Sequence, residues 1–483
     1  MFNAACSDDA NLTAAQSRAP TRNVSPAQSL PGAAAADQSA TDLAASFPFC
    51  AWWTETTATS LNVAFPDASA AYWTTPLLAT PDLVSVTASG EYADARYFSL
   101  NAYNNGAASY DCASTPSALA DYVIAPDAGS ENPFQTSAPV GGRYTVTLAR
   151  AGAQAPARNT IPLYQYPGCQ PAPSQGVLPS TLTFLILRAY LPHGGFAQVP
   201  LADLTLHYTD GRRVVLPHCG GTTPALAGVG AEPTPGWVDA LRQRLAVGDA
   251  TGVRTPGVQR FGRPGATASP PALTFFRPSD SGTGGFFPNV DNKYVAALVQ
   301  PKPETVVVIR AKAPTFPPGM HAAPWDPRTV NLRYWSMCSN VYRRPYPVVV
   351  VKEGGQTIPG CAPDLATKQD GRGYYTYVVS HVRGKPSDAA LAANNATWLP
   401  FSTAQPYAQH LMILRNMLGA DFPHSVQNCA AGSDPASIAA CRASMGDYYP
   451  RAAECRTRTF ETGGTAACVQ EYQRAPARLA GAT

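Results

Sequence analysis

The sequence predicts a mainly all-β protein made of two tandem antiparallel β-sandwich domains of the jelly-roll type. Three observations support this fold class: an internal duplication, short segments of alternating hydrophobicity, and an abundance of turn-forming residues. The chain of 483 residues contains 38 glycines and 47 prolines, and only 14% of its residues are charged. Such a composition favours short strands joined by many turns over long surface helices.

Four sequence blocks occur twice in the same order, at shifts of 222 to 237 residues. The first block opens with Phe65-Pro66-Asp67 and returns as Phe287-Pro288-Asn289. The paired blocks are 65–88 with 287–310, 96–100 with 333–337, 144–148 with 375–379, and 185–188 with 412–415. Because the order is preserved and the shifts differ little, the chain is predicted to contain two copies of one fold.

Strands are indicated by apolar residues that alternate with polar ones, a period of two that places one face in a core. In the first copy the alternating segments are 83–87, 97–103, 144–148, 182–187 and 203–208. Asn104-Asn105-Gly106 and Thr209-Asp210-Gly211 supply turns at two strand ends, since glycine accepts positive φ at little cost. Several short strands with frequent turns are typical of a sandwich.

The composition divides the chain into five segments. An Ala/Ser/Gln-rich stretch has almost no large apolar groups and is predicted to be a disordered stalk. The connector between the repeats holds the clearest helical pattern, at 235–247, and aromatic residues expected to anchor it on a sandwich face. The predicted segments are the stalk 1–46, jelly-roll repeat one 47–232, the helix and Pro/Gly-rich connector 233–286, jelly-roll repeat two 287–424, and a tail 425–483 held together by disulfides rather than a core.

Eleven cysteines occur without a Cys-x-x-Cys pair, which favours disulfides over zinc and therefore an oxidising compartment. The predicted pairs are Cys112–Cys169, Cys338–Cys361, Cys429–Cys441, Cys455–Cys468 and, by elimination, Cys50–Cys219. Cys6 is left over. It follows small residues and precedes polar ones, as in a bacterial lipoprotein cleavage site, so it is either a lipid attachment point or a free cysteine.

Segments of the second repeat carry a family resemblance. They are Phe-Pro-Asn-Val-Asp-Asn-Lys-Tyr at 287–294, Arg-Tyr-Trp-Ser-Met-Cys-Ser-Asn at 333–340, Asp-Gly-Arg-Gly-Tyr-Tyr-Thr-Tyr-Val-Val-Ser at 370–380, Trp-Leu-Pro-Phe at 398–401, Met-Ile-Leu-Arg-Asn-Met-Leu at 412–418 and Gly-Asp-Tyr-Tyr-Pro at 446–450. This part of the chain resembles exported bacterial proteins of unknown function with the paired jelly-roll domains common in bacterial envelope proteins. The resemblance covers most of 287–450 and, more faintly, 65–192. It implies the fold and export, and it implies no activity.

The candidate ligand-binding residues come from the second repeat. They are Asp291, Asn292, Tyr294, Arg333, Trp335 and Arg415. A carboxylate, an amide and a phenol before a strand can hydrogen-bond a polar ligand, and converging arginines can bind an acidic one. The alternatives are a side-chain turn at Asp291 and Asn292, structural ion pairs for Arg333 and Arg415, and core packing for Trp335.

Other sites are not indicated. His193, His207 and His218 lie close together in sequence, but no His-x-His pair accompanies them, so no metal site is predicted. Asp280-Ser281-Gly282 is predicted to be a flexible turn. An aspartic protease would need a second such triplet, and a serine protease would need a glycine before the aspartate and a partner histidine on a different fold. No cofactor motif, no basic cluster for nucleic acid and no apolar run long enough to span a membrane is present.

The sequence therefore predicts an exported or cell-envelope protein that binds a small polar ligand or glycan in a jelly-roll groove. A carbohydrate platform built from the tryptophans is one form of this interpretation. One alternative is an extracellular hydrolase or lyase that uses Asp291 with Arg333 or Arg415. The other is a structural surface protein without a site.

Overall fold

The computed structural model describes residues 50–78, 80–104, 117–150, 158–163, 182–219, 272–278, 289–343 and 346–480. Five predictions lie wholly or partly outside the described residues: the stalk 1–46 with Cys6, the turn at Asn104-Asn105-Gly106, the pair Cys112–Cys169, the connector helix at 235–247 and the turn at Asp280-Ser281-Gly282.

The first half of the chain forms two five-stranded sheets. Their orders are β1-β2-β8-β4-β5 and β10-β9-β3-β6-β7. The strands are β1 Thr54–Thr56, β2 Ala70–Leu78, β3 Leu83–Glu91, β4 Ala95–Asn104, β5 Ser117–Ala120, β6 Arg143–Ala149, β7 Thr160–Pro162, β8 Leu182–Pro192, β9 Asp203–Tyr208 and β10 Arg213–Leu216.

The second half forms two four-stranded sheets, β11-β19-β13-β16 and β18-β17-β12-β20, and a separate β14-β15 hairpin. The strands are β11 Asn292–Val299, β12 Thr305–Lys312, β13 Tyr334–Val341, β14 Val350–Glu353, β15 Gln356–Pro359, β16 Cys361–Pro363, β17 Tyr374–Ser380, β18 Ala396–Pro400, β19 His410–Met417 and β20 Arg451–Arg456. The helices are α1 Asp388–Ala393, α2 Pro435–Met445 and α3 Thr457–Ala480, the last kinked at Gly464. None of the helices in the described part of the chain is long and apolar enough to cross a membrane.

The two halves share one strand order. The run β2-β8-β4-β5 corresponds to β11-β19-β13-β16, and β9-β3-β6-β7 corresponds to β20-β12-β17-β18. Each of the four duplicated sequence blocks falls on corresponding strands. Most strand pairs are antiparallel, as predicted, and each half also contains one parallel pair that the sequence did not indicate, β6 with β7 and β17 with β18. The mainly β class is confirmed, while the jelly-roll assignment stays a prediction.

Each half buries a core between its two sheets, as the alternating pattern predicts. In the second half Val307 and Ile309 of β12 face Trp335 and Met337 of β13 in one cluster. Strands β13 and β19 are buried at every position. Their sheet is covered on both faces, because its inner face meets the core of its own half and residues of its outer face contact the first half.

The tail is part of the second half, which corrects the prediction of a separate segment held by disulfides. Strand β20 pairs with β12 along six residues. Val426, Met445 and Tyr449 join the second core. The tail lacks a period of two over most of its length because it is largely helical, and its one strand is short.

Four disulfides link described residues. They are Cys50–Cys219, Cys338–Cys361, Cys429–Cys441 and Cys455–Cys468, all among the predicted pairs. The connector also behaves as predicted where it is described. Phe275 lies in the second core, and Phe276 is fully buried and bridges to Ala296 of β11.

Candidate functional site

The predicted site residues lie mainly on the outer face of the sheet that meets the first half. Tyr294, Arg415 and Ser336 form one cross-strand row on β11, β19 and β13. The first half presents the equivalent row, Tyr72, Arg188 and Ser99. In each row the guanidinium lies over the tyrosine ring, 5.8 Å from the Tyr294 centroid and 5.1 Å from that of Tyr72.

Arg333 is buried in a salt bridge to the other half of the chain. Its Nη2 donates to Asp121 Oδ2 of the first half at 3.2 Å, and both side chains are at most 2% exposed. Arg96, the residue of the first half at the same repeat position, donates in turn to Asp364 of the second half at 3.2 Å. Burial raises the pKa of Asp121 and of Asp364 to about 6 each, although the arginines oppose this shift.

Arg415 is also held by the first half. It donates to the carbonyl oxygen of Phe65 at 2.7 Å, and its Nη1 lies 3.8 Å from the buried carboxylate of Asp67. Asp67 accepts hydrogen bonds from Tyr334 at 2.9 Å and Ser336 at 2.6 Å. Both arginine charges are therefore matched by buried carboxylates between the halves.

Asp291 accepts a hydrogen bond from Tyr97 of the first half, with 2.6 Å between the oxygens. Burial raises the pKa of Asp291, and this outweighs the opposing effect of that hydrogen bond. Asn292 is 1% exposed, and its side-chain amide has no hydrogen-bond partner in the described part of the chain. Trp335 is fully buried in the second core. The structure thus brings Asp291, Tyr294, Arg333 and Arg415 to one face, where they join the two halves of the molecule.

The tryptophans do not form an exposed platform among the described residues. Trp52, Trp53, Trp73 and Trp335 are all at most 6% exposed. Trp398 packs partly on the cluster under α1 and α3. Core packing, the alternative interpretation, accounts for them.

A cavity of about 670 Å³ lies at the free edge of β20, away from the predicted residues. Strands β12 and β20, the connector, the end of α2 and the second part of α3 enclose it. Its polar lining residues include Arg310, Arg442, Arg451, Asp447, Tyr374 and Tyr472. A concave site of this size, with several convergent polar groups, is the usual form of a small-molecule site.

The cavity lining is cationic, with three arginines and one aspartate. Arg310 and Arg451 occupy directly opposite positions on β12 and β20. Like charges placed this way destabilise a sheet. The charge of Arg310 is balanced by Asp370, which accepts a hydrogen bond from its guanidinium. This hydrogen bond is the main reason that the pKa of Asp370 falls to about 2. Arg451 is exposed, and no carboxylate of the described chain lies within ion-pair distance of it.

Tyrosines supply the remaining recognition surface. The Arg310 guanidinium lies 5.0 Å from the Tyr374 ring, and that phenol donates to Asp447 at 3.0 Å. Tyr472 of α3 is 38% exposed. Helix α2 ends at Gly446, whose φ of 55° is a conformation that favours glycine. The chain therefore turns there and places Asp447 beside the cavity. The arrangement can pair with an anion and stack on a ring.

Sequence reasoning missed this cavity because most of its lining belongs to the predicted tail. One signal was present in the sequence: Tyr448-Tyr449-Pro450-Arg451 sets two aromatics beside a cation at the start of a strand. The opposed arginine on β12 only becomes a neighbour through long-range pairing.

The clustered histidines of the first half do not converge. His207 shares a hydrogen bond with Thr87, and His218 lies 3.1 Å from Asp203. His193 instead approaches Asp94, 3.4 Å away, and His321 of the second half.

Comparisons with known proteins give no function. No family model matches the chain, and no curated protein matches it. The chain is similar to a crystal structure described as an uncharacterized protein from Burkholderia cenocepacia. The two are 12% identical, the match covers 86% of each chain, and the TM-score is 0.46.

Proposed function

We propose that the protein is an exported binding protein whose cavity beside β20 takes a small anionic ligand, most simply an acidic saccharide. The observation that carries this proposal is the placement of Arg310 and Arg451 at opposed positions of a cavity also lined by Tyr374 and Tyr472. Four disulfides support export, because such bonds persist in oxidising compartments.

Charge supports an anion over a neutral ligand. Asp370 already pairs with Arg310, whereas Arg451 has no carboxylate partner in the described part of the chain. A bound carboxylate that pairs with Arg451 relieves its repulsion with Arg310 across the two strands. Asp447 can accept hydrogen bonds from hydroxyl groups, and tyrosine rings can stack on a sugar ring. The ligand class is therefore one that combines a carboxylate, hydroxyls and an apolar ring face.

The burial of Arg333 and Arg415 favours binding over the hydrolase or lyase interpretation. A catalytic arginine must approach the charge that develops on the substrate. Arg333 and Arg415 are 2% and 3% exposed and already lie against Asp121 and Asp67. Substrate access to them would require the two halves to separate.

The experiment is a thermal-shift screen of the oxidised protein against oligogalacturonides, glucuronate, small organic acids and the matching neutral sugars. A ligand at one hundred times its Kd adds about 2.7 kcal/mol of stability, roughly 5 to 10 °C for a domain of this size. We expect a shift with acidic saccharides that Arg451→Gln removes. Arg213→Gln, an exposed arginine on β10, is the control and should retain the shift.

A shift with neutral sugars alone would contradict the anionic ligand. A shift that Arg451→Gln leaves intact would place the site elsewhere. The absence of any shift would favour the structural surface protein.

A further inference from the structure

We propose that Asp94, His193 and His321 form a binding site for a divalent transition-metal ion, Zn²⁺ in the first instance, that links the two halves of the chain. Two imidazoles and one carboxylate are a common donor set for such ions, and water completes the coordination. This inference is independent of the cavity beside β20.

The spacing of the donor atoms suits a metal. Asp94 Oδ2 lies 2.9 Å from His321 Nδ1 and 3.4 Å from His193 Nδ1. Each of the three residues offers a ligand atom within 4.8 Å of the others. Two donors that are each about 2.1 Å from a tetrahedral ion lie about 3.4 Å apart, so only small side-chain adjustments are required.

The backbone around the site holds the carboxylate in position. The amide of Ala322 donates to Asp94 Oδ1 at 2.9 Å, which leaves Oδ2 directed to the histidines. The amide of His193 donates to the Asp94 carbonyl at 2.8 Å. Gly194 and Gly195 follow at φ 79° and 89°, a conformation that favours glycine and turns the chain directly after His193.

The site is accessible to solvent. The side chains of Asp94, His193 and His321 are 25%, 50% and 63% exposed. An ion can therefore enter without a conformational change, and water can occupy the remaining positions. Sequence reasoning could not find this site, because His321 lies 227 residues from Asp94 and belongs to the other half.

The competing explanation is a metal-free cluster in which both histidines contact the Asp94 carboxylate directly. The two explanations differ in a direct binding measurement. The experiment adds Zn²⁺, and separately Co²⁺, to chelator-treated oxidised protein in a Cys6→Ser background, which removes the odd cysteine as a ligand. Calorimetry gives the affinity and stoichiometry, and the visible spectrum of Co²⁺ reports its coordination.

We expect one ion per chain. His193→Ala and His321→Ala should each weaken binding at least tenfold, and Asp94→Asn, which keeps the acceptor for Ala322, should do the same. His218→Ala, another histidine beside an aspartate, should bind like the wild type. Absence of binding, or binding that survives both single histidine variants, would overturn the proposal and favour the metal-free cluster. Loss of binding in His218→Ala would overturn it as well.

Discussion

Arg96 and Arg333 donate hydrogen bonds to each other's backbone. Arg333 Nε donates to the carbonyl oxygen of Arg96 at 2.7 Å, and Arg96 Nη1 donates to the carbonyl oxygen of Arg333 at 3.3 Å. Each guanidinium then reaches an aspartate of the opposite half, Asp121 or Asp364. Each of these aspartates also accepts from the backbone amide two residues after the arginine of its own half, that of Phe98 for Asp121 and that of Trp335 for Asp364. Two arginines, one from each half, therefore exchange backbone hydrogen bonds, and each pairs with an aspartate of the opposite half.

The first prediction concerns this exchange. Arg333→Met should lower the free energy of unfolding by about 3 to 5 kcal/mol, because it leaves Asp121 buried without its cation. Adding Asp121→Asn, which keeps an acceptor for the Phe98 amide, should restore much of the loss, since no buried charge is then left unpaired. Urea unfolding measures both variants.

Arg143→Met is the control for that series, because Arg143 pairs with Glu91 at an exposed site and such pairs contribute about 0 to 1 kcal/mol. Arg96→Met should behave like Arg333→Met. A small effect of Arg333→Met, comparable to that of Arg143→Met, would mean that the halves do not depend on the exchange.

The second prediction is the pH dependence of Asp121. Its pKa is about 6 in the folded protein, above the ordinary value near 4, so between these pH values the folded state binds more protons than the unfolded state. The contribution of Asp121 to stability should be fully present below pH 4 and fall as the pH rises to 6. It should fall by up to about 1.4 kcal/mol per pH unit relative to Asp121→Asn. If the stability of the wild type relative to Asp121→Asn instead increases with pH, Arg333 lowers the pKa of Asp121 and the prediction is wrong.

The third prediction has the opposite sign and concerns His410. Burial lowers its pKa to about 4, and its Nε2 accepts from the Ser402 amide at 3.0 Å. The folded state therefore binds fewer protons than the unfolded state between pH 4 and 6.5, and stability should be lost as the pH falls through this window. NMR titration should find His410 neutral at pH 5. A His410 titration midpoint near 6.5 would contradict this prediction.

The fourth prediction concerns the disulfide between β20 and α3. Replacing Cys455 and Cys468 with alanine should cost about 3 kcal/mol, the value for a loop near 15 residues, and should increase amide exchange in β20. Because β20 carries Arg451, affinity for an acidic saccharide should fall as well. Removing Cys50–Cys219, in the first half, should leave that affinity unchanged. Equal losses from both changes would show that the disulfide acts globally.

The sequence predicted those features that local pattern and repetition determine. The alternation around Val86 and Tyr97 identified strands. The duplicated blocks placed Arg96 with Arg333 and Arg188 with Arg415 at equivalent positions. The sequence left two interpretations of these arginines open, ligand binding and a structural ion pair, because an acidic ligand and a buried aspartate both pair with a guanidinium. Only the packing of one half on the other places Asp121 beside Arg333.

Features that depend on contacts between distant segments of the chain could not be predicted from the sequence. Arg310 and Arg451 become neighbours only because β20 adds to the edge of β12, across about 140 residues of chain. Strand β20 was not predicted because the tail around it shows no alternation of apolar and polar residues. The parallel pairs β6-β7 and β17-β18 were missed for a similar reason, since their short second strands show little alternation.

The central claim is that ligand recognition belongs to the cavity beside β20 and not to the buried residues between the halves. Titration calorimetry of the oxidised protein with an oligogalacturonide tests it most directly, using Arg451→Gln and Asp291→Asn as matched variants. We expect saturable binding by the wild type, a loss of at least tenfold in affinity for Arg451→Gln, and unchanged affinity for Asp291→Asn. Binding that Asp291→Asn abolishes and Arg451→Gln preserves would contradict the claim and return the site to the face between the halves.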